Sequence, residues 1–154
     1  MQRYLDSEAD TVAAGQRLGR ALQDGAVVYL GGQLGAGKTT FCRGVLQAFG
    51  HAGAVKSPTY TIVEPYEAGG VNVYHFDLYR LGDPEELEYM GIRDYFDNDA
   101  VCLVEWPERG AGILPLADIM VSIEAQGAGR LLAARSATPR GQQILAQLSK
   151  YETD

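Results

Sequence analysis

Cysteine is scarce in this chain, with two in 154 residues. That is too few for a disulfide framework. Both Cys42 and Cys102 sit inside apolar segments, so they read as buried free thiols of a protein kept in a reducing cytoplasm. Histidine is equally rare, and with only His51 and His75 beside two separated cysteines no zinc spacing exists. Positive charge is also short: 13 Lys and Arg stand against 20 Asp and Glu, for a net charge of −7. Gripping nucleic acid needs a basic surface, so nucleic-acid binding by this chain alone is not expected. No apolar run is long enough to span a bilayer. The opening Met1-Gln2-Arg3-Tyr4-Leu5-Asp6 lacks the basic-then-apolar pattern of a signal peptide, so neither a membrane nor export is expected. Repeats, low-complexity tracts and linkers are absent as well.

What is present suits one globular domain over residues 1–154, with 46% apolar and 21% charged residues. Its most informative stretch is Gly32-Gln33-Leu34-Gly35-Ala36-Gly37-Lys38-Thr39, a complete G-x-x-x-x-G-K-T loop. Each fixed residue type answers a demand of a bound triphosphate. The glycines let the backbone curl until several N–H groups point at phosphate oxygens. Lys38 supplies an ammonium to the β- and γ-phosphates. The Thr39 hydroxyl is placed to ligate the Mg²⁺ that bridges them. Ala26-Val27-Val28-Tyr29-Leu30 reads as a buried strand just before the loop. Thr39 to Phe49 reads as the helix just after, its positive end facing the phosphates.

Around this unit the pattern predicts a small α/β domain, P-loop NTPase-like: a mainly parallel sheet flanked by helices, with added antiparallel strands. A first helix spans Ser7 to Leu22, capped by Ser7 and carrying Val12, Leu18 and Leu22 on one face. His51 to Ser57 is a connector. Thr59 to Glu64 and Val71 to Asp77 are β-rich runs joined by an Ala68-Gly69-Gly70 turn, as in an antiparallel pair. Asp83-Pro84-Glu85-Glu86 starts a helix that ends near Met90-Gly91, and Ile92 to Phe96 form a short second one. Val101 to Glu105 is a buried strand ending in an acid. Ile119 to Ile123 and Arg130 to Arg135 form a late strand pair, and Thr138 to Tyr151 a closing helix.

A phosphate loop needs acids that hold Mg²⁺ and orient the attacking group. Four apolar residues followed by Glu105 make the usual second nucleotide motif, on a strand that ends at the loop's edge. Asp77 also closes an apolar run, His75-Phe76-Asp77, and shares a strand face with His75. From spacing alone it reads equally as a site acid or as a structural partner of Arg80, and His75 as a satisfied strand histidine. The hydroxyl-rich turn Ser57-Pro58-Thr59-Tyr60-Thr61 is by position a γ-phosphate sensor and by composition simply a turn feeding a strand. Trp106, the sole tryptophan, either covers the site or packs in the core.

Taken in order, these motifs resemble the TsaE (YjeE) family, small ATPases of tRNA threonylcarbamoyladenosine biosynthesis. The resemblance rests on Leu34 to Thr40, Ser57 to Thr61, His75-Phe76-Asp77-Leu78-Tyr79-Arg80-Leu81 and Glu105-Trp106-Pro107, and runs from about Gly19 to Pro115. It implies that Gly35, Ala36, Gly37, Lys38 and Thr40 contact phosphate, and that Thr39 and Glu105 hold Mg²⁺. It implies that Asp77 is needed for hydrolysis beside Lys38 and Glu105, that Ser57, Pro58, Thr59 and Tyr60 act as a switch, and that Trp106 lies beside the site. More loosely, it places the segment around Ser7 to Thr11, with Thr11 itself, and Arg130 at the border of the nucleotide. Gln33 departs from the family, which often carries Asp there. The resemblance further implies ATP and Mg²⁺ as ligands, the TsaD and TsaB proteins as partners, and tRNA reached only through that complex, which agrees with the acidic balance.

Three other readings remain open on the residues. A small P-loop kinase usually carries an arginine-rich lid, whereas the basic residues here are scattered. A GTPase would show an Asn-Lys-x-Asp segment, which is missing. A non-hydrolytic nucleotide-bound subunit would keep the loop without needing Asp77 or Glu105.

Overall fold

The computed structural model describes residues 1–33, 35–55, 58, 60–96 and 99–152. In chain order the elements are β1 (Gln2–Leu5), α1 (Glu8–Arg20), β2 (Ala26–Gly31), α2 (Lys38–Ala48), β3 (Val63–Ala68), β4 (Val71–Asp77), α3 (Glu85–Tyr89), α4 (Ile92–Tyr95), β5 (Val101–Glu105), β6 (Ile119–Gln126), β7 (Gly129–Ser136) and α5 (Pro139–Glu152). The seven strands form a single sheet in the order β1-β7-β6-β2-β5-β4-β3. Its centre is parallel: β2 pairs with β5 and β6, and β5 with β4. Antiparallel pairs close both sides, β3 on β4 and β7 between β6 and β1. This is the expected α/β architecture, with the parallel strands in the middle.

The sheet is covered on both faces. Val28, Leu30, Leu103, Ile119 and Ile123 meet Leu18, Phe41, Val45, Leu46, Ile144 and Leu148 from α1, α2 and α5. On the other face Phe76, Cys102 and Val104 pack with Leu78, Leu87 and Ile92 around α3 and α4. β5 lies next to the central strand β2 and all five of its residues are buried, which explains its unbroken apolar run.

The helices start where their caps place them. The Ser7 side chain accepts from the Asp10 N–H at the head of α1. The Thr138 hydroxyl accepts from the Gly141 N–H ahead of α5. The Asp83 carboxylate accepts from Glu85 N–H while Glu86 reaches back to Gly82 N–H, a reciprocal cap before α3.

Three expectations need correction. The first β-rich run starts later than Thr59, at Val63. The turn at Gly69 and Gly70, both at positive φ, pairs Ala68 with Val71 and so carries the strand back only to Val63. Pro65 is tolerated within it because β3 is an edge strand. Second, the buried face of α1 is built mainly from Thr11, Ala14, Gly15, Leu18 and Gly19, while Val12 is only half-buried. Third, β1 was not anticipated. Its side chains are mostly exposed, and it exists because its backbone pairs with β7 from Gln2↔Ala133 to Leu5↔Arg130.

Candidate functional site

The carboxyl ends of β2, β4 and β5 meet at one edge of the sheet, where the chain passes from one side of β2 to the other. That is the position at which open α/β sheets present ligand sites. β2 leads into the glycine loop, and the loop into α2. Gly32 sits at φ +128, and a Cβ there would fall 2.1 Å from the Ile123 carbonyl oxygen, so only glycine fits. Gly35 sits at φ +76 with nothing within 4 Å of a built Cβ. The loop is therefore open at Gly35.

Lys38, the first residue of α2, is 4% exposed. Its ammonium donates to the Gly32 carbonyl oxygen at 2.8 Å and lies 3.9 Å from the centroid of the Trp106 ring. Burial pulls its pKa below the usual lysine value, while Glu105, Asp77 and Glu108 act the other way.

The acids come from adjacent parallel strands. Pairing of β4 with β5 sets Asp77 beside Glu105, and pairing of β2 with β5 sets Glu105 beside Leu30, just before the loop. Both carboxyl side chains are buried, at 4% and 3% exposure. The Thr39 hydroxyl donates to Glu105 Oε2 at 3.4 Å. Asp77 Oδ1 accepts from the Tyr79 N–H at 3.0 Å. Thr39 and Glu105 offer hard oxygen donors, the ligand type Mg²⁺ takes alongside phosphate oxygens. The donor chemistry and the open loop thus fit an Mg²⁺–triphosphate.

His75, expected to be an ordinary strand histidine, is wholly buried, with Nε2 2.6 Å from Glu105 Oε2. Its Nδ1 has no hydrogen-bond partner. Cys42 completes a buried trio: one ligand atom from each of Cys42, His75 and Glu105 lies within 4.8 Å of the others. These residues come from α2, β4 and β5, which is why spacing along the chain shows no such cluster. Burial drives the Cys42 thiol well above its usual pKa, with the Glu105 charge adding to the effect.

Trp106 flanks the site and adopts the left-handed region at φ +59, ψ 49, unusual for a residue with a Cβ. Its ring also meets Tyr79 at 5.1 Å. On the far side of the loop lies a groove of about 250 Å³ lined by Thr11, Gly35, Ala36, Gly37, Thr40 and Arg130, among others. Arg130 Nε donates to the Ala36 carbonyl oxygen at 3.1 Å, tying β7 to the loop. Residues far apart in sequence, Thr11 and Arg130, are thereby brought to one wall of the loop.

Of the expected switch, Ser57 and Thr59 lie outside the described residues, as does Leu34 of the loop. The Pro58 carbonyl oxygen accepts from Ile62 N–H, and the Ile62 carbonyl oxygen accepts from Asp77 N–H, so this segment is hung on the strand that carries the acid. Ile62 itself is at φ +70, a costly conformation for a β-branched residue. Tyr60 is 83% exposed. Arg80 stacks on its ring at 4.5 Å and donates to its hydroxyl at 3.4 Å.

Residues 5–132 match the model of the family described as "Threonylcarbamoyl adenosine biosynthesis protein TsaE". A Haemophilus influenzae protein named tRNA threonylcarbamoyladenosine biosynthesis protein TsaE is 49% identical, covering 97% of this chain and 98% of its own. A Rickettsia conorii protein of the same name is 37% identical over 79% of this chain and 69% of its own. The crystal structure of Bacillus subtilis YdiB superposes with a TM-score of 0.86 at 28% identity, over 99% of this chain and 95% of that one. With a family match that spans most of the chain and a relative aligned nearly end to end, this protein belongs to the TsaE family.

Proposed function

We propose that this chain is the Mg²⁺-dependent ATPase of tRNA threonylcarbamoyladenosine formation. It binds and hydrolyses ATP to drive or reset the TsaD–TsaB complex, which transfers the threonylcarbamoyl group. The observation that carries this reading is the meeting of Lys38, Thr39, Asp77 and Glu105 at the mouth of an open glycine loop. The names of the relatives supply the pathway.

The backbone of Gly35, Ala36 and Gly37, with Lys38 and Thr40, would hold the phosphates. Thr39 and Glu105 would hold Mg²⁺, which, when bound, draws negative charge from the β- and γ-phosphate oxygens. Asp77, buried next to Glu105, would orient the attacking water and accept its proton. Trp106 screens the Lys38 ammonium from solvent on one side. Thr11 and Arg130 border the remainder of the nucleotide along the groove. Pro58 and Tyr60, with Ser57 and Thr59, form the segment that distinguishes ATP from ADP for a partner.

The partners TsaD and TsaB carry the tRNA, consistent with the net charge of −7. Among the described residues no helix is long and apolar enough to cross a membrane. A cytoplasmic place follows from the tRNA substrate of the pathway. The test is ATP turnover measured alone, with the TsaD–TsaB complex, and with the complex plus tRNA. Turnover that responds to the complex supports the reading. Phosphate transferred to an added metabolite would replace it with the kinase reading, and binding without turnover under every condition with that of a non-hydrolytic subunit.

A further inference from the structure

We infer that His75 is a positioning residue: its Nε2–H donates to Glu105 Oε2 and holds that carboxylate in the orientation that receives Mg²⁺. The inference rests on the reading of Glu105 as an Mg²⁺ ligand and adds a residue to it.

The geometry is specific. His75 sits two residues before Asp77 on β4, on the same face, and its ring reaches the end of β5. The Nε2–Oε2 distance is 2.6 Å, and both side chains are buried, at 0% and 4% exposure. At this depth an unpaired carboxylate would be costly, and a hydrogen bond to it is worth more than at the surface.

The other ring nitrogen decides the form of the imidazole. Nδ1 is buried without a hydrogen-bond partner. An orphaned N–H is among the more expensive buried groups, whereas a bare ring lone pair forgoes less. The hydrogen-bond geometry therefore assigns a proton to Nε2, pointing at Glu105 Oε2, and an imidazole held on a buried strand keeps that carboxylate in one orientation. Hydrogen-bonded support of a metal-ligating carboxylate is a recurring requirement of metal sites, and its loss typically costs 10- to 100-fold in metal affinity.

Three variants separate this role from packing. His75→Gln keeps an N–H at nearly the reach of Nε2. His75→Asn carries its N–H too close to the backbone to meet Glu105. His75→Leu fills the space with no donor. For each, the affinity of a fluorescent ATP analogue is titrated against Mg²⁺, and Mn²⁺ is counted by its electron paramagnetic resonance signal, with melting temperature recorded alongside. Leu and Asn are expected to weaken Mg²⁺ and Mn²⁺ affinity by roughly 10- to 100-fold while nucleotide binding without metal is retained. Gln is expected to restore most of the affinity. Should the Leu variant fail to fold, the Gln–Asn comparison decides alone. Metal affinity equal to wild type in the Asn or Leu variant, or equally poor in the Gln variant, overturns the inference. A control with Glu105→Gln distinguishes the failures: if it too binds metal like wild type, the assignment of Glu105 is wrong, and the inference about His75 falls with it.

Discussion

At the scale of single residues, the proposed site divides into groups that would grip and groups that would react. Lys38 is nearly buried without belonging to the apolar core, and its ammonium is turned to the Gly32 carbonyl and the Trp106 face. Exchange of that carbonyl for phosphate oxygens would release a lysine already desolvated, so little further cost opposes the contact. Lys38→Ala should leave the fold intact and weaken ATP binding by roughly 10- to 100-fold or more, as a charged hydrogen bond is worth about 1.5–3 kcal/mol. Titration with a fluorescent ATP analogue checks this, and unchanged affinity in a folded variant would remove the loop from the site. The acids behave differently. Glu105→Ala should raise the Mg²⁺ requirement, and Asp77→Ala should lower turnover with nucleotide affinity largely kept, because neither side chain supplies the main ground-state contacts. Steady-state hydrolysis over a Mg²⁺ series, paired with binding data, gives both quantities. Wild-type hydrolysis by both variants would show these roles to be misassigned.

At the scale of elements, the loop is aimed by the crossing of α1 and α2. The helices touch backbone to backbone: a Cβ on Gly15 would lie 2.2 Å from the Phe41 carbonyl oxygen, and one on Gly44 would lie 2.2 Å from that of Val12. This close approach seats Thr11 against the loop, with its methyl group 3.7 Å from where a Cβ on Gly37 would stand. Gly15→Val or Gly44→Val must push the helices apart, an overpacking cost of about 1–3 kcal/mol. The expected result is a lower melting temperature together with weaker nucleotide binding, since Thr11 and the loop would separate. A stable Gly15→Val protein with unaltered ATP affinity would mean that the helix crossing does not set the loop geometry.

At the scale of the whole molecule, charge and arginine placement bear on what the chain does alone. The net charge is −7, and no basic stripe interleaved with aromatics runs through the sequence. The isolated protein should bind tRNA weakly at physiological salt, measured by fluorescence anisotropy; tight, salt-sensitive binding would contradict this. Two arginines beside the motifs are engaged within the chain: Arg130 holds the Ala36 and Gly129 carbonyl oxygens, and Arg80 is stacked on Tyr60. An arginine supplied by a partner is worth about 10³- to 10⁵-fold in P-loop hydrolysis. Turnover should therefore be slow alone and rise on addition of the TsaD–TsaB complex. Tyr60 is exposed on the segment tied through Ile62 to Asp77, so Tyr60→Ala should blunt that rise more than it changes ATP affinity. Full activity without partners would instead describe a self-contained enzyme.

Much of this was legible in the chain because the physics involved is local. The glycine loop, its flanking strand and helix, the caps at Ser7 and Asp83, and the Gly69-Gly70 turn are set by backbone freedom and hydrogen bonds between near neighbours. The unbroken apolar run ending in Glu105 likewise announced a strand buried on both faces. Pairing between distant segments was decided only by the tertiary structure. β1 carries little apolar signal and forms because β7 offers a free edge; β3 starts at Val63 because a register, counted from the turn, says so. His75 looked ordinary because a histidine on a strand is defined by what the neighbouring strand brings to it. Only the parallel alignment of β4 and β5 sets its Nε2 against Glu105 and leaves Nδ1 without a hydrogen-bond partner, and side-chain contacts across strands are not written in the spacing of either one.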